Sequence, residues 1–417
     1  MTKPITFIVP AFYKNFQCRM SACDYNCCER GWRIDIDKNT YELYKTVKDP
    51  EFKDDITKYI KRDRKHIGHD NGYAKLVLDE NGICPFLKDG LCSLQKKLGY
   101  NHLSHTCKIF PRMTPYLVSV NPPRIHAGLS MACRHVAKLC VTPTEPLTFE
   151  EITLDRTKDI HAKNKLNGFN TQVEPLSAFA MEIQQLCIDV MQCRKASLPD
   201  RLFVVGTILQ KLCESDNIVA NFEHAIKYAT ALANGEFNGI TEKFSDNQEA
   251  KATMKMLLVK TFGNFMYSSA FSDFVKLINE RAEKDGKTPE EIKQLSYTDM
   301  NKYSEEFAEL HWARFLEKNS HMLENYFVNY IFTQHFPFTH IGEISVYHHF
   351  ILLAEQYALM RLIFSAAGEK VDEKYIINAM SEIFQAVSHS INTAELKKRY
   401  TEAGLDSLAH ISFLLRK

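Results

Sequence analysis

From about residue 173 to the end of the chain, apolar residues return every three or four positions. Phe179, Ile183, Leu186, Val190 and Cys193 share one helical face, and Leu202, Val205, Leu209 and Leu212 share another. The same period covers roughly 217–234, 247–264, 268–283, 302–317, 321–333, 344–366 and 372–390. Gly235 and Gly368 stand where C-terminal caps are expected. Alternating patterns are scarce in this half and no repeat of constant period is visible, so it predicts a helical bundle or array.

Before residue 140 the pattern is broken and rich in turns. Arg33 to Asp37 alternates like a short strand, Tyr41 to Arg64 reads as helical, and Tyr73 to Leu78 reads as a strand ended by the turn Asp79-Glu-Asn-Gly82. A second turn, Lys88-Asp-Gly90, follows. The two turns bracket Cys84 and Cys92, a way to aim both sulfurs at one point. Tyr116 to Val120, the turn Asn121-Pro-Pro123 and the return Arg124 to Ala127 predict a hairpin that draws Cys107 and Cys133 towards each other. The prolines of Val141-Thr-Pro-Thr-Glu-Pro146 interrupt any helix and divide the chain into residues 1–145 and 146–417. The predicted fold class is mainly α: a small irregular α+β cysteine-rich module followed by an all-helical domain.

Composition narrows the setting. Hydrophobic residues make up 45% of 417, enough for a core without disulfides. A formal net charge of +1 gives no bulk electrostatic reason for a nucleic-acid or membrane partner. The apolar opening before Pro10 is too short for an export signal. The stretch Ile344 to Ala367 carries His348, His349, Glu355 and Arg361, so it predicts a buried helix and not a membrane span. These features place the chain in the cytoplasm, where thiols stay reduced and clustered cysteines bind metal more readily than they form disulfides.

Nine of the 12 cysteines fall in the first 140 residues. They form Cys18-x4-Cys23-x3-Cys27-Cys28 and Cys84-Pro-Phe-Leu-x4-Cys92, followed by Cys107, Cys133 and Cys140. Four thiolates close a tetrahedral zinc site or hold a four-iron cluster. The eight from Cys18 to Cys133 suffice for two such sites, or for one cluster with an open iron plus a structural zinc. The side chains of adjacent Cys27 and Cys28 diverge, which suits two irons of one cluster or two separate sites. His102 and His105 could complete a mixed zinc site but read first as loop or surface histidines. Cys140 reads as an ordinary thiol at the boundary, and Cys187, Cys193 and Cys213 as thiols on apolar helix faces.

At these residues the sequence resembles the flagellin lysine-N-methylase family. The likeness is carried by Phe16-x-Cys18-x4-Cys23-x3-Cys27-Cys28-x2-Gly31-Trp32-x-Ile34-Asp35-x-Asp37, then by Cys84 to Leu87, Leu91 to Ser93, Leu103 to Arg112 and Leu129 to Cys133. The helical half adds Leu198-Pro-Asp-Arg-Leu202, Glu324-Asn-Tyr326 and Phe336-Pro-Phe338. The first half also resembles small CxxCC-type zinc- or iron-chelating proteins. The resemblance implies methyl transfer from S-adenosylmethionine to lysine side chains of flagellin, with an iron–sulfur cluster, expected to be 4Fe–4S, taking part; zinc is the alternative metal. The ligand set inferred from spacing is Cys18, Cys23, Cys27, Cys28, Cys84, Cys92, Cys107 and Cys133. One departure stands out: the family's last cysteine is usually followed by proline and an acidic residue, whereas Cys133 is followed by Arg134-His135.

An ordinary methyltransferase has a glycine-rich turn in a doubly wound sheet, and a radical enzyme has repeated βα units; neither pattern is present. Cys23-x3-Cys27-Cys28 also fails the radical spacing C-x3-C-x2-C. The expected donor site is therefore unfamiliar, with an iron lacking a cysteine ligand chelating the amino and carboxylate groups of S-adenosylmethionine. The acceptor lysine must lose a proton, and Asp35, Asp37 and Tyr25 lie closest in sequence, although each reads first as structural. The competing readings are a non-enzymatic zinc-stabilised binding protein and a redox or metal-delivery protein.

Overall fold

The computed structural model describes residues 5–416 apart from 24–25, 30, 65–71, 121–122, 155–166, 170–173, 216, 245–246, 263–268, 339–344 and 390. Tyr25 and the tip of the expected hairpin at 121–122 lie outside the described residues. The N-terminal part runs β1 (Ile5–Pro10), β2 (Asp35–Ile36), α1 (Lys38–Lys45), α2 (Pro50–Tyr59), β3 (Ile60–Arg62), β4 (Ala74–Leu76), β5 (Leu87–Lys88), β6 (Leu91–Cys92), α3 (Ser93–Leu98), α4 (His105–Ile109), β7 (Tyr116–Val120), β8 (Pro123–His126) and α5 (Arg134–Val141). Two further strands, β9 (Phe149–Leu154) and β10 (Asn167–Gly168), follow the Val141–Pro146 segment.

The main sheet has the order β10-β7-β8-β1-β9. Its β1 lies parallel to β8 and antiparallel to β9, with Ile5 opposite Leu154 and Pro10 opposite Phe149. A smaller sheet, β2-β4-β3, and the hairpin β5-β6 complete the strands. The expected helix over 41–64 is broken: α2 restarts at Pro50, whose missing N–H costs nothing in a first turn, and Ile60 leaves the helix to pair with Leu76. The expected hairpin forms, with Leu117 opposite Ile125.

The helical part comprises α6 (Ala180–Met191), α7 (Leu198–Leu212), α8 (Ile218–Ala233), α9 (Gln248–Thr261), α10 (Ser269–Lys284), α11 (Pro289–Lys293), α12 (Tyr297–Thr333), α13 (His348–Ala367), α14 (Glu373–His389), α15 (Thr393–Glu402) and α16 (Leu408–Leu415). Side chains of Ser197, Asn217, Asn247, Asn392 and Ser407 accept from first-turn N–H groups and fix several of the starts. The two segments expected at 302–317 and 321–333 are one continuous helix, α12, opened by a Ser296–Asp299 capping box. The fold is mainly helical with a small strand-containing N-terminal region, as the pattern predicted.

Residues 349–367 of α13 are all buried, and the helix is apolar all round because other helices surround it. Among the described residues it is the one helix long and apolar enough to cross a membrane, and that whole stretch is buried inside the protein. The main core joins Phe12, Leu129, Val136 and Cys140 to the helical part, whereas a second core of Ile34, Tyr44, Phe52, Phe86 and Leu94 stays within 34–94. Cys187 is buried in the main core as expected, but Cys213 is exposed, because it caps the end of α7 instead of lying on its inner face.

The Val141–Pro146 segment is tied to α12. Asn325 donates from Nδ2 to the carbonyl of Pro143 at 2.8 Å and accepts from the Leu147 N–H at 3.2 Å. One residue earlier, Glu324 takes Arg194 at 2.8 Å and Arg201 at 2.7 Å. The Leu198–Leu202 and Glu324–Tyr326 motifs therefore meet in a buried ion cluster that joins α7 to α12.

Candidate functional site

The segments bearing the cysteines are positioned by caps and close backbone approaches. Asp37 caps α1 by accepting from the Thr40 N–H at 2.9 Å, and the same carboxylate accepts from the His105 N–H at 3.0 Å. Ser104 caps α4 by accepting from the Cys107 N–H at 3.2 Å, and the Thr106 hydroxyl donates to the Asp35 carbonyl at 3.1 Å. Cys107 is thereby hung on β2 and α1. On the other side, Cys84 donates its N–H to the Cys28 carbonyl at 2.8 Å. Gly31 and Gly82 both have left-handed backbones, and a Cβ on Gly82 would come within 3.1 Å of the Gly31 Cα, so only glycine lets these two turns approach. The β5-β6 hairpin sets Cys92 opposite Leu87.

The sulfurs gather as a result. The Cys28 thiol is hydrogen-bonded to the Cys27 and Cys84 sulfurs and, with burial, is pushed far above the usual thiol range. Cys84 is lowered, first by its bond with Cys28 and then by the N–H groups of Phe86 and Leu87. Burial raises Cys92, as do charges on Cys84 and Cys27, while the N–H groups of Gln95 and Leu94 oppose the rise. Cys107 keeps solvent access, yet the protein crowded round it desolvates the thiol and pushes it up to about 12, with Cys84, Cys92 and Cys27 adding to the rise. Cys133 is pushed up to about 11 by burial and by Cys23 and Cys27, against the N–H groups of Val136 and His135. The charge of Cys27 thus acts on Cys28, Cys84, Cys92, Cys107 and Cys133; Cys18 is exposed on the chain before them.

Two physical features of this set bear on metal. Crowded thiols resist ionising together because each thiolate raises its neighbours, and a bound cation removes that penalty. Paired backbone N–H groups aimed at Cys84, Cys92 and Cys133 favour the thiolate form that soft metals and clusters need. The donor set fits a thiolate-bound metal or cluster in its chemistry. Among the described residues, however, these side chains do not close into a preformed group of three or more ligands.

Asp35 and Asp37 are engaged structurally: Asp35 pairs with Arg33 at 2.6 Å, and Asp37 is the shared cap of α1 and α4. A residue that sequence reasoning missed is Tyr44, buried on α1, whose hydroxyl is raised first by burial and then by charge on Cys107 and Cys92. Its only sequence signal was a place on the inner face of α1. Arg134, the departure after Cys133, pairs with Glu382 at 2.7 Å, and Glu382 also accepts from the Ser269 hydroxyl at 2.9 Å. It anchors the Cys133 segment to α14 and α10.

Fold and site together define a class: a helical protein carrying a thiol-lined α+β module with a small core of its own. Residues 184–414 match the family model described as the FliB lysine N-methylase C-terminal domain, and the chain belongs to the FliB lysine N-methylase family. It is 34% identical over 156 residues to a lysine-N-methylase of Salmonella choleraesuis (strain SC-B67), which is 36% of this chain and 36% of that relative. The figures are the same for the lysine-N-methylase of Salmonella typhimurium (strain LT2). Over 153 residues it is 34% identical to the flagellar biosynthetic protein FliU of Salmonella muenchen, covering 36% of this chain and 85% of that protein. The chain thus spans only 36% of the length of the two lysine-N-methylases it matches. No solved structure matches it.

Proposed function

We propose that this chain is a cytoplasmic protein lysine N-methyltransferase that takes its methyl group from S-adenosylmethionine, acts on flagellin, and depends on an iron–sulfur cluster held by the N-terminal thiols. The observation that carries the reading is the match of residues 184–414 to the lysine N-methylase family. The gathering of Cys27, Cys28, Cys84, Cys92 and Cys107, with Cys23 and Cys133 reached through Cys27, supports the cofactor half.

In this reading three of those cysteines would hold the cluster. When bound, a four-iron cluster with three thiolate ligands offers an open iron to the amino and carboxylate groups of S-adenosylmethionine. The backbone N–H groups at Cys84, Cys92 and Cys133 favour the thiolate form of those sulfurs, against burial. Methyl transfer forms a bond from the lysine Nζ to the methyl carbon and breaks the carbon–sulfur bond of the sulfonium, releasing S-adenosylhomocysteine. The lysine proton must leave first, because an ammonium has no lone pair.

The test is to purify the chain without air, measure iron, zinc and acid-labile sulfide per chain, and incubate it with S-adenosylmethionine and flagellin. Mass spectrometry is expected to find methylated flagellin lysines, and the protein is expected to be brown. Unmethylated flagellin after incubation with cluster-loaded protein would sink the activity. A colourless, zinc-containing protein that still methylates would overturn the cofactor alone.

A further inference from the structure

A cavity of about 250 Å³ lies among α9, α12, α13 and α16, lined by Met254, Lys255, Glu305, Arg361 and Phe413. Its floor is charged. Glu305 bonds to Lys255 through Oε1 and to Arg361 through Oε2, the latter at 2.9 Å, with a second Arg361 bond at 3.3 Å. The Arg361 side chain is 8% exposed and that of Lys255 18%. One carboxylate therefore faces two largely buried cations, an excess of one positive charge at the floor; Glu242 and Lys251, also in the lining, are opposite in sign. The Arg361 Nε is also buried without a protein acceptor. At the rim, Arg416 donates to the Thr241 and Phe244 carbonyls, so its guanidinium is committed to the backbone.

Burying an unbalanced cation is costly, and a buried donor without an acceptor adds to that cost. A ligand that brings one negative charge relieves both. Met254, Leu258, Leu362 and Phe413 supply apolar wall among the charged groups, against which a short hydrocarbon chain can lie behind an anionic head. The excess charge at the floor lies beside Glu305, so a carboxylate monoanion balances it with the least repulsion from that side chain. The cavity lies well along α12 from the point where the end of α5 packs on that helix. Glu305 and Asn325 lie on the same helix, about 30 Å apart at 1.5 Å per residue, and it is Asn325 that meets Cys140 at the end of α5.

We infer that this cavity is a binding site for a small organic carboxylate with an apolar body. The probe is octanoate, with octanol and octyl phosphate as comparison arms, added to the full-length protein carrying 13C-methyl methionine. Octanoate is expected to shift the Met254 methyl resonance and leave that of exposed Met20 in place, and calorimetry is expected to show binding at least about tenfold tighter than octanol. Lys255→Met, which removes a poorly solvated amine, is expected to weaken octanoate at least about tenfold while the helical circular dichroism persists. A Met254 resonance that does not move, equal affinity for octanol, or unchanged octanoate affinity in folded Lys255→Met overturns the inference. Preferential binding of octyl phosphate overturns the carboxylate assignment. The wild-type methyl spectrum decides the matter if the variant fails to fold.

Discussion

Glu355 shows how a single buried group sets a pH dependence. It has no accessible surface; its Oε1 accepts from Tyr400 at 2.8 Å and Thr261 at 3.0 Å, and its Oε2 has no donor. Burial raises its carboxyl from 4.5 to about 8. The folded chain keeps this proton where the unfolded chain releases it, so the contribution present below pH 4.5 is lost as pH rises towards about 8. Glu355→Gln should therefore gain about 3 kcal/mol on the parent chain between pH 4 and pH 7 in urea denaturation. His126 and His335 work in the opposite direction. Burial lowers them to about 4 and about 3, and the folded chain holds both rings neutral while the unfolded chain protonates near 6.5, so stability is lost as pH falls below 6.5. His126 stacks on Phe332 at 4.4 Å, and His126→Phe keeps an aromatic ring there. That variant should lose about 2 kcal/mol less than the parent between pH 7 and pH 5, measured in the same way. Periodicity puts Glu355 on a helix, but it cannot show that burial there outweighs the nearby charge of Arg399.

Among the described elements, α12 packs against α5, α6 and α13 and so joins the two parts of the chain. Its pattern reads as two helices because the inner face changes partners along its length: Ala308 and Trp312 are buried in the N-terminal half, whereas Met322 to Thr333 are buried on every side. No residue between them breaks the helix, so the backbone runs through. Glu324 on this helix balances Arg201, whose side chain is 7% exposed. Glu324→Gln leaves that guanidinium buried without its counter-charge and should cost about 3 kcal/mol, read as a lower urea midpoint with unchanged slope. Arg194→Met should change the midpoint far less, because that side chain is 41% exposed and its pair is screened by water. The motif residues Arg201 and Glu324 were visible in the sequence; that they form one ion pair, and serve packing, was not.

At the scale of the whole molecule, the two cores respond differently to the thiols. The core of residues 34–94 includes Cys84 and is flanked by Cys28 and Cys92, whereas the main core is built chiefly from the helices. If thiolate-bound metal holds the small core together, removing it with a chelator under reducing conditions should erase hydrogen-exchange protection across 34–94 while α13 stays protected. Equal loss in both regions, or none, would contradict the proposed role of the thiols. The family match falls on the helical half, and the chemistry proposed here falls on the other; Arg134 with Glu382, and Asn325 with Pro143, are among the bonds that hold the halves in register.

The chain by itself determined what depends on near neighbours: the helices from Ala180 onward, several of the caps that start them, the buried character of α13, and a cysteine set spaced for metal. These follow from periods of three to four residues and from side chains that reach one turn along the backbone. Tertiary structure alone decided which distant segments meet. The β1 strand finds β8 and β9 more than a hundred residues away, Cys84 and Cys107 converge on Cys27, and Lys255, Glu305 and Arg361 share one cavity. Such pairings are chosen by competition among all surfaces that can be buried, and no local pattern encodes the winner.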